Sequence, residues 1–259
     1  MVTLKIGRHT VEVYDTIDAL PIVRFHKYQK MLLVDSGIGA DIASFDKRIE
    51  RARRYMLTGK AEQAAQELAN LRQCVYLIQQ GINPEHRAFA VLVSSIDGEP
   101  CTDLSDDGIT ATLARLGDVP AGEIAASLGA VKKKIDDELS TYFPGLFEGT
   151  EIKEYYDIIK QRAMVILREI IAGEPEPGKG VEELTTRLML FSKPKEFAGP
   201  EGVEVQSDRQ FENLCLALSA ELHIEPKACT VLEFYNAFDF LREKSKREEK
   251  AAKEARRRR

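Results

Sequence analysis

Tryptophan is absent from the chain, and eleven Phe and eight Tyr in 259 residues leave few aromatic anchors. No stretch approaches the roughly 18–20 uninterrupted apolar residues of a membrane span. The longest apolar run, Ala88 to Val93, is sized for a core. The opening MVTLKIGRHTVEVYD lacks a basic region followed by an apolar one, so it does not read as a secretory signal. These absences point to a soluble protein of the cytoplasm with no membrane partner.

Cysteine is sparse and scattered. Cys74, Cys101, Cys215 and Cys229 form no CxxC pair and no zinc-ligand spacing, so each is expected to be a small buried apolar residue. The four histidines are too dispersed for a metal centre. His26 falls on a helix beside Phe25, His86 in a first helical turn, and His223 at a helix end, where a cation suits the dipole. Phosphate loops fail in the same way. Ser36-Gly37-Ile38-Gly39 and Gly178-Lys179-Gly180 fit neither G-x-x-x-x-G-K-[ST] nor G-x-G-x-x-G, and the first reads better as a helix C-cap. The acidic Asp103–Asp107 lacks the alternating ligands of a calcium loop and suits capping of the next helix. No G-x-S-x-G and no Ser/His or Cys/His pairing emerges. No enzyme, metal or cofactor is expected.

The periodicity of what is present is mostly helical. Residues 2–14 alternate around Gly7-Arg8-His9 and predict a β-hairpin. Ile22, Phe25, Tyr28 and Leu32 then recur at helical spacing after Pro21. Ile42, Phe45, Ile49, Ala52 and Met56, followed after Thr58-Gly59-Lys60 by Ala64, Leu68, Leu71, Val75 and Ile78, are two heptad stripes expected to pack as an antiparallel helical hairpin. Asn83-Pro84 starts a helix carrying Phe89, Leu92, Val93 and Ile96, although a strand over Ala88–Ile96 also fits so short a run. Ser105 caps a short helix, and Leu128, Val131 and Ile135 mark the face of the next. Beyond Thr150, Ile152, Tyr155, Tyr156, Ile159, Ala163, Ile166 and Ile170 predict a buried stripe.

Pro and Gly then cluster at 173–180 and 192–202, with one helical piece, Val181–Phe191, between them. The chain therefore reads as a hairpin plus helical body (1–172), a Pro/Gly-rich linker region (173–206) and a C-terminal helical part (207–259). Ser207 with Gln210 and Thr230 with Glu233 fit the capping box that opens each of its helices. The fold class is mainly α with an N-terminal hairpin, ending in a long charged helix.

Charge is unevenly spread. Residues 242–259 hold ten Lys/Arg against four Asp/Glu, a net of +6, which leaves −11 on the rest of a chain whose total is −5. The basic tail, Arg256 to Arg259 above all, suits contact with an acidic protein surface or with nucleic-acid phosphates. Interleaved Glu243, Glu248, Glu249 and Glu254 favour protein. Phe234, Tyr235, Phe238 and Leu241 form an apolar stripe just before it, readable as a partner surface or as core.

The hairpin Thr3–Tyr14, the helix opening Leu20-Pro-Ile-Val-Arg-Phe25, and the segments Asp35-Ser-Gly-Ile-Gly-Ala-Asp41, Asn70-Leu-Arg-Gln73, Asp103-Leu-Ser-Asp-Asp107 and Leu232-Glu-Phe-Tyr-Asn236 resemble virion-associated tail proteins of long-tailed bacteriophages. Among these the chain is most similar to the tail assembly chaperones, although it is long for one. The resemblance implies a non-enzymatic protein of the bacterial host cytoplasm that binds tape-measure and tail-tube proteins during tube growth. It leaves open a structural subunit retained in the virion, a connector or tail-completion subunit, that contacts neighbouring subunits or copies of itself. A helical nucleic-acid binder using the basic tail is the third class.

Overall fold

In a computed structural model of the chain, residues 1–33, 42–146, 150–173, 178–191, 193–197 and 199–257 are described, the side chains of 33, 150–153 and 252–257 excepted. Ser36–Gly39, the Asp35–Asp41 segment, the centre of the Pro/Gly stretch after Gly173, and Arg258 and Arg259 lie outside them. The fold is mainly α, with ten α-helices and four short strands among the described residues. No helix among them is long and apolar enough to cross a membrane.

Strands β1 (Val2–Ile6) and β2 (His9–Val13) pair antiparallel, with Ile6 opposite His9. Gly7, at φ +55°, supplies the left-handed first loop position that a two-residue turn of this kind needs. β2 also pairs with β3 (Val93–Ile96), which turns through Asp97 and Gly98, both at positive φ, into β4 (Glu99–Pro100).

The sequence expectation of one helix from Asn83 to Ile96 is therefore corrected, and so is the strand over all of Ala88–Ile96. Helix α4 (Pro84–Leu92) starts as predicted, the Asn83 side chain accepting from the amides of Glu85 and His86, but it ends at Leu92. Its last carbonyls, orphaned as at every helix end, find partners outside the helix. Tyr14 N–H donates to Leu92, and the Arg24 guanidinium donates to Val91 at 2.8 Å, to Val93 at 2.9 Å and also to Cys101. β2 is then free to take Val93–Ile96 as its neighbour.

By its contacts the chain forms two compact units that do not follow chain order: Met1–Gly37, Asn83–Thr141 and Glu204–Arg259 make one, and Ile38–Ile82 with Tyr142–Val203 the other. In the first, the sheet, α1 (Ile22–Leu33), α4, α5 (Asp106–Arg115) and α6 (Ala121–Tyr142) share a core of Ile6, Val11, Phe25, Phe89, Ile109 and Ile135. The C-terminal helices α9 (Val203–Leu222) and α10 (Val231–Arg257) belong to this unit. Leu20 and Ile17 accept backbone hydrogen bonds from Val231 and Leu232, and Ile22 donates to Cys229, which ties the start of α10 to the entry of α1.

Thr230 and Glu233 form the expected capping box, Thr230 N–H to Glu233 at 2.9 Å and Glu233 N–H to Thr230 Oγ1 at 3.3 Å. Ser207 does not cap, because α9 already begins at Val203. Two contacts between α9 and α10 rise together in sequence: Phe211 with Phe234, and Glu221 with Lys244. The two helices thus run in the same direction, and residues 223–230 carry the chain back between them.

The second unit is built from two antiparallel hairpins, α2 (Ile42–Leu57) with α3 (Ala61–Gln79) and α7 (Thr150–Ala172) with α8 (Lys179–Met189). α2, α3 and α7 follow the predicted periodicity, but none packs on the predicted face.

Candidate functional site

In the α2–α3 hairpin the buried residues are Arg48, Ala52 and Tyr55 on α2, and Ala64, Glu67, Asn70, Cys74 and Leu77 on α3. Of the predicted stripes only Ala52 and Ala64 are buried. Ile42, Ile49, Met56 (62% exposed), Leu68 (54%), Val75 and Ile78 face outward. Most of these six directly follow a buried residue: Arg48 precedes Ile49, Tyr55 Met56, Glu67 Leu68, Cys74 Val75, and Leu77 Ile78. One residue is a 100° rotation of an α-helix. In an antiparallel pair, equal rotations bring both stripes to the same side.

The side that is buried instead mixes apolar residues with charged and amide groups. The Arg48 guanidinium donates to fully buried Glu67 at 2.9 Å, Arg51 reaches the same carboxylate at 3.2 Å, and Arg48 lies over the Phe197 ring. Asn70 donates to the Lys195 carbonyl at 2.9 Å. Residues 193–197 therefore close one side of the hairpin, and the apolar stripes occupy the other. Glu50, held by Arg53 and Arg54, has its carboxyl pulled down to about 2, and Arg54 continues to Glu182 on α8 at 2.6 Å.

The same displacement recurs on α7. Tyr155, Tyr156, Ile159, Ala163 and Ile170, predicted as buried, are exposed; Ile166 is half-buried, and the Ile152 side chain lies outside the described set. The α8 side of α7 is lined by Ile158, which is buried, and by Arg162 and Glu169. Arg162 donates to Thr185 at 2.9 Å, and Glu169 accepts from Gly178 N–H at 3.2 Å. Tyr156, Ile159, Ala163, Leu167 (58% exposed) and Ile170 (66%) are left as an open stripe at i, i+3, i+7, i+11 and i+14. Among the described residues of the first unit the exposed large apolar side chains are Met1, Val23, Leu216 and Phe240; the second unit carries all the rest.

The predicted partner residues fare differently. Phe234, 2% exposed, is core: it stacks on Phe211 and meets Tyr235, which in turn sits edge-on to Phe25. Burial pushes the Tyr235 hydroxyl up from its ordinary pKa. Both residues are thereby removed from the candidate surface, because the α10 stripe is what fastens that helix to α1 and α9. Phe238 and Leu241 are half-buried, and exposed Phe240 lies between them. Past Lys244 the helix runs beyond the end of α9, exposed at every position through Ala251. Arg256 and Arg257 continue the helix with undescribed side chains.

One feature of the first unit was not read from the sequence. The imidazole of His9 lies between two carboxylates, Nδ1 2.7 Å from Asp97 and Nε2 3.1 Å from Asp118. Hydrogen bonds to Asp97 and then Asp118 raise its pKa above the ordinary value, and the clamp pins the β1–β2 hairpin to the β3–β4 turn. Its only sequence signal is the Asp97-Gly98 pair, a hairpin-turn dipeptide. A cleft of about 720 Å³ in the second unit, lined by Lys60, Glu154, Glu183, Thr186, Arg187, Leu190, Phe191 and Lys193, mixes both signs of charge, with Arg187 already paired to Glu154 at 3.1 Å. Comparison of the chain with protein-family models, characterised proteins and solved structures finds no match.

Proposed function

We propose that the chain is a non-enzymatic assembly protein that holds an apolar helical segment of another protein, acting as a phage tail assembly chaperone for tape-measure and tail-tube proteins. The observation that supports this reading is the open stripe of α7. Five aligned residues, Tyr156, Ile159, Ala163, Leu167 and Ile170, present the spacing by which amphipathic helices engage one another. Exposed apolar surface of this extent, bordered by charged residues such as Asp157, Lys160 and Arg168, is typical of an interaction site rather than of a plain soluble surface. The acidic remainder of the chain suits the task, since it keeps a complex with an apolar client in solution.

Co-expression of the full chain with tape-measure and tail-tube proteins tests the reading. Co-purification with one of them, lost in Leu167→Asp and Ile170→Asp, supports it; co-purification with neither overturns it. Mass spectrometry of finished particles adds the distinction between a chaperone, which is missing from them, and a retained structural subunit.

A further inference from the structure

The α2–α3 hairpin has the form of one half of a four-helix bundle. Its helices, 16 and 19 residues long, lie antiparallel around the Thr58–Lys60 connection, and residues whose numbers sum to about 118 sit level, as Arg51 and Glu67 do. On that count Ile49 lies level with Leu68, and Ile42 with Val75. Two rungs of exposed aliphatic side chains thus run across one side of the hairpin, with residues 193–197 on the opposite side. The groove between two such helices is where a bundle seats its other pair.

The rim identifies the occupant. Exposed Asp46 follows Ile42 by four residues and precedes Ile49 by three; exposed Arg72 stands in the same relation to Leu68 and Val75. The two positions are equivalent on the two helices, are level with one another, and carry opposite charges. A two-fold axis parallel to the helices would lay α2 of one copy over α3 of another. It would set the two aliphatic rungs face to face and bring Asp46 beside Arg72 of the partner on both edges.

We infer that a second copy of this chain covers the α2–α3 face, giving an isologous dimer with a four-helix bundle at its centre. The six stripe side chains expose on the order of 600 Å² per copy, so a pair buries roughly the 1,000–1,200 Å² that a specific interface needs. The inference uses a different face from the α7 stripe and does not depend on the chaperone reading.

Sedimentation velocity on the purified full chain tests it, with far-UV circular dichroism as the check on folding. The expected result is a species of twice the chain mass that dissociates on dilution and becomes monomeric in Ile49→Asp. Should that variant fail to fold, surface charges serve instead: Arg72→Glu weakens the dimer at least tenfold, and Asp46→Lys combined with Arg72→Glu restores it. A wild-type chain that stays monomeric at high micromolar concentration overturns the inference. So does a dimer indifferent to both Ile49→Asp and Arg72→Glu, since it must then use another face. Client binding through α7 is scored separately in the same preparations.

Discussion

Arg48 and Glu67 meet at 2.9 Å inside the α2–α3 hairpin, and the residue after each, Ile49 and Leu68, is turned out to solvent. A buried ion pair is weak evidence of net stability, but removing one member strands the other's charge. Glu67→Ala is therefore expected to destabilise the second unit by about 3–5 kcal/mol. Replacing Arg48 by Met and Glu67 by Leu together should cost much less. Urea unfolding followed by tyrosine fluorescence distinguishes the two outcomes, since Tyr55 is buried in the same hairpin.

Among the described residues Arg24 makes no ion pair with a carboxylate, and it spends its guanidinium on the carbonyls of Val91, Val93 and Cys101 while lying over the Tyr14 ring. Burial draws its pKa downward. Arg24→Met is expected to cost about 3 kcal/mol by leaving buried carbonyls without donors. Arg24→Lys should recover little of it, because an ammonium cannot fork as a guanidinium does. Thermal melts of the three proteins read this directly.

The stability that His9 contributes depends on pH in a definite direction. Its folded pKa is raised by Asp97 and Asp118, so the contribution is complete below the ordinary histidine value of about 6.5 and is lost as pH rises through the raised value. An NMR titration should place the His9 midpoint above that of an unstructured histidine. His9→Gln should flatten the loss of stability on the alkaline side. A midpoint at or below the ordinary value contradicts the clamp.

Two capping motifs of the same form give opposite expectations. Thr230→Ala should cost about 1 kcal/mol, since the Thr230–Glu233 box is made. Ser207→Ala lies inside α9 and should change stability by no more than about 0.5 kcal/mol. Chemical denaturation midpoints check both.

What could be read in the sequence was periodicity, and in α1 and α6 the packed face as well, since Phe25, Tyr28, Leu128, Val131 and Ile135 are buried as expected; what could not was which way α2, α3 and α7 face. The stripes of α2, α3 and α7 show where helices lie, yet on each of the three the packed side precedes the apolar stripe by one residue. That rotation is set by long-range partners such as Arg48–Glu67, Asn70–Lys195 and Arg162–Thr185, whose pairing no local pattern announces. Ile42, Ile49 and Ile170 consequently read as core when they are surface. The reverse held for Phe234, which could be read as either and is core. The end of α4 at Leu92 was hidden because Val93 and Ile96 continue a helical stripe. Only a neighbouring strand and the Arg24 side chain decide that the backbone extends there. Local chemistry with a fixed geometry was legible at Asn83-Pro84, Ser105 and Thr230-x-x-Glu233, whereas Ser207-x-x-Gln210, of the same form, lies inside α9.

The central claim, that the α7 stripe holds a partner's apolar helix, is tested most directly by co-purification of the full chain with a co-expressed tape-measure protein, wild type beside Leu167→Asp. The account predicts a stable complex with the wild type and its loss in the variant, with the variant's circular dichroism unchanged. No complex with the wild type, or a complex equally strong with Leu167→Asp, contradicts it.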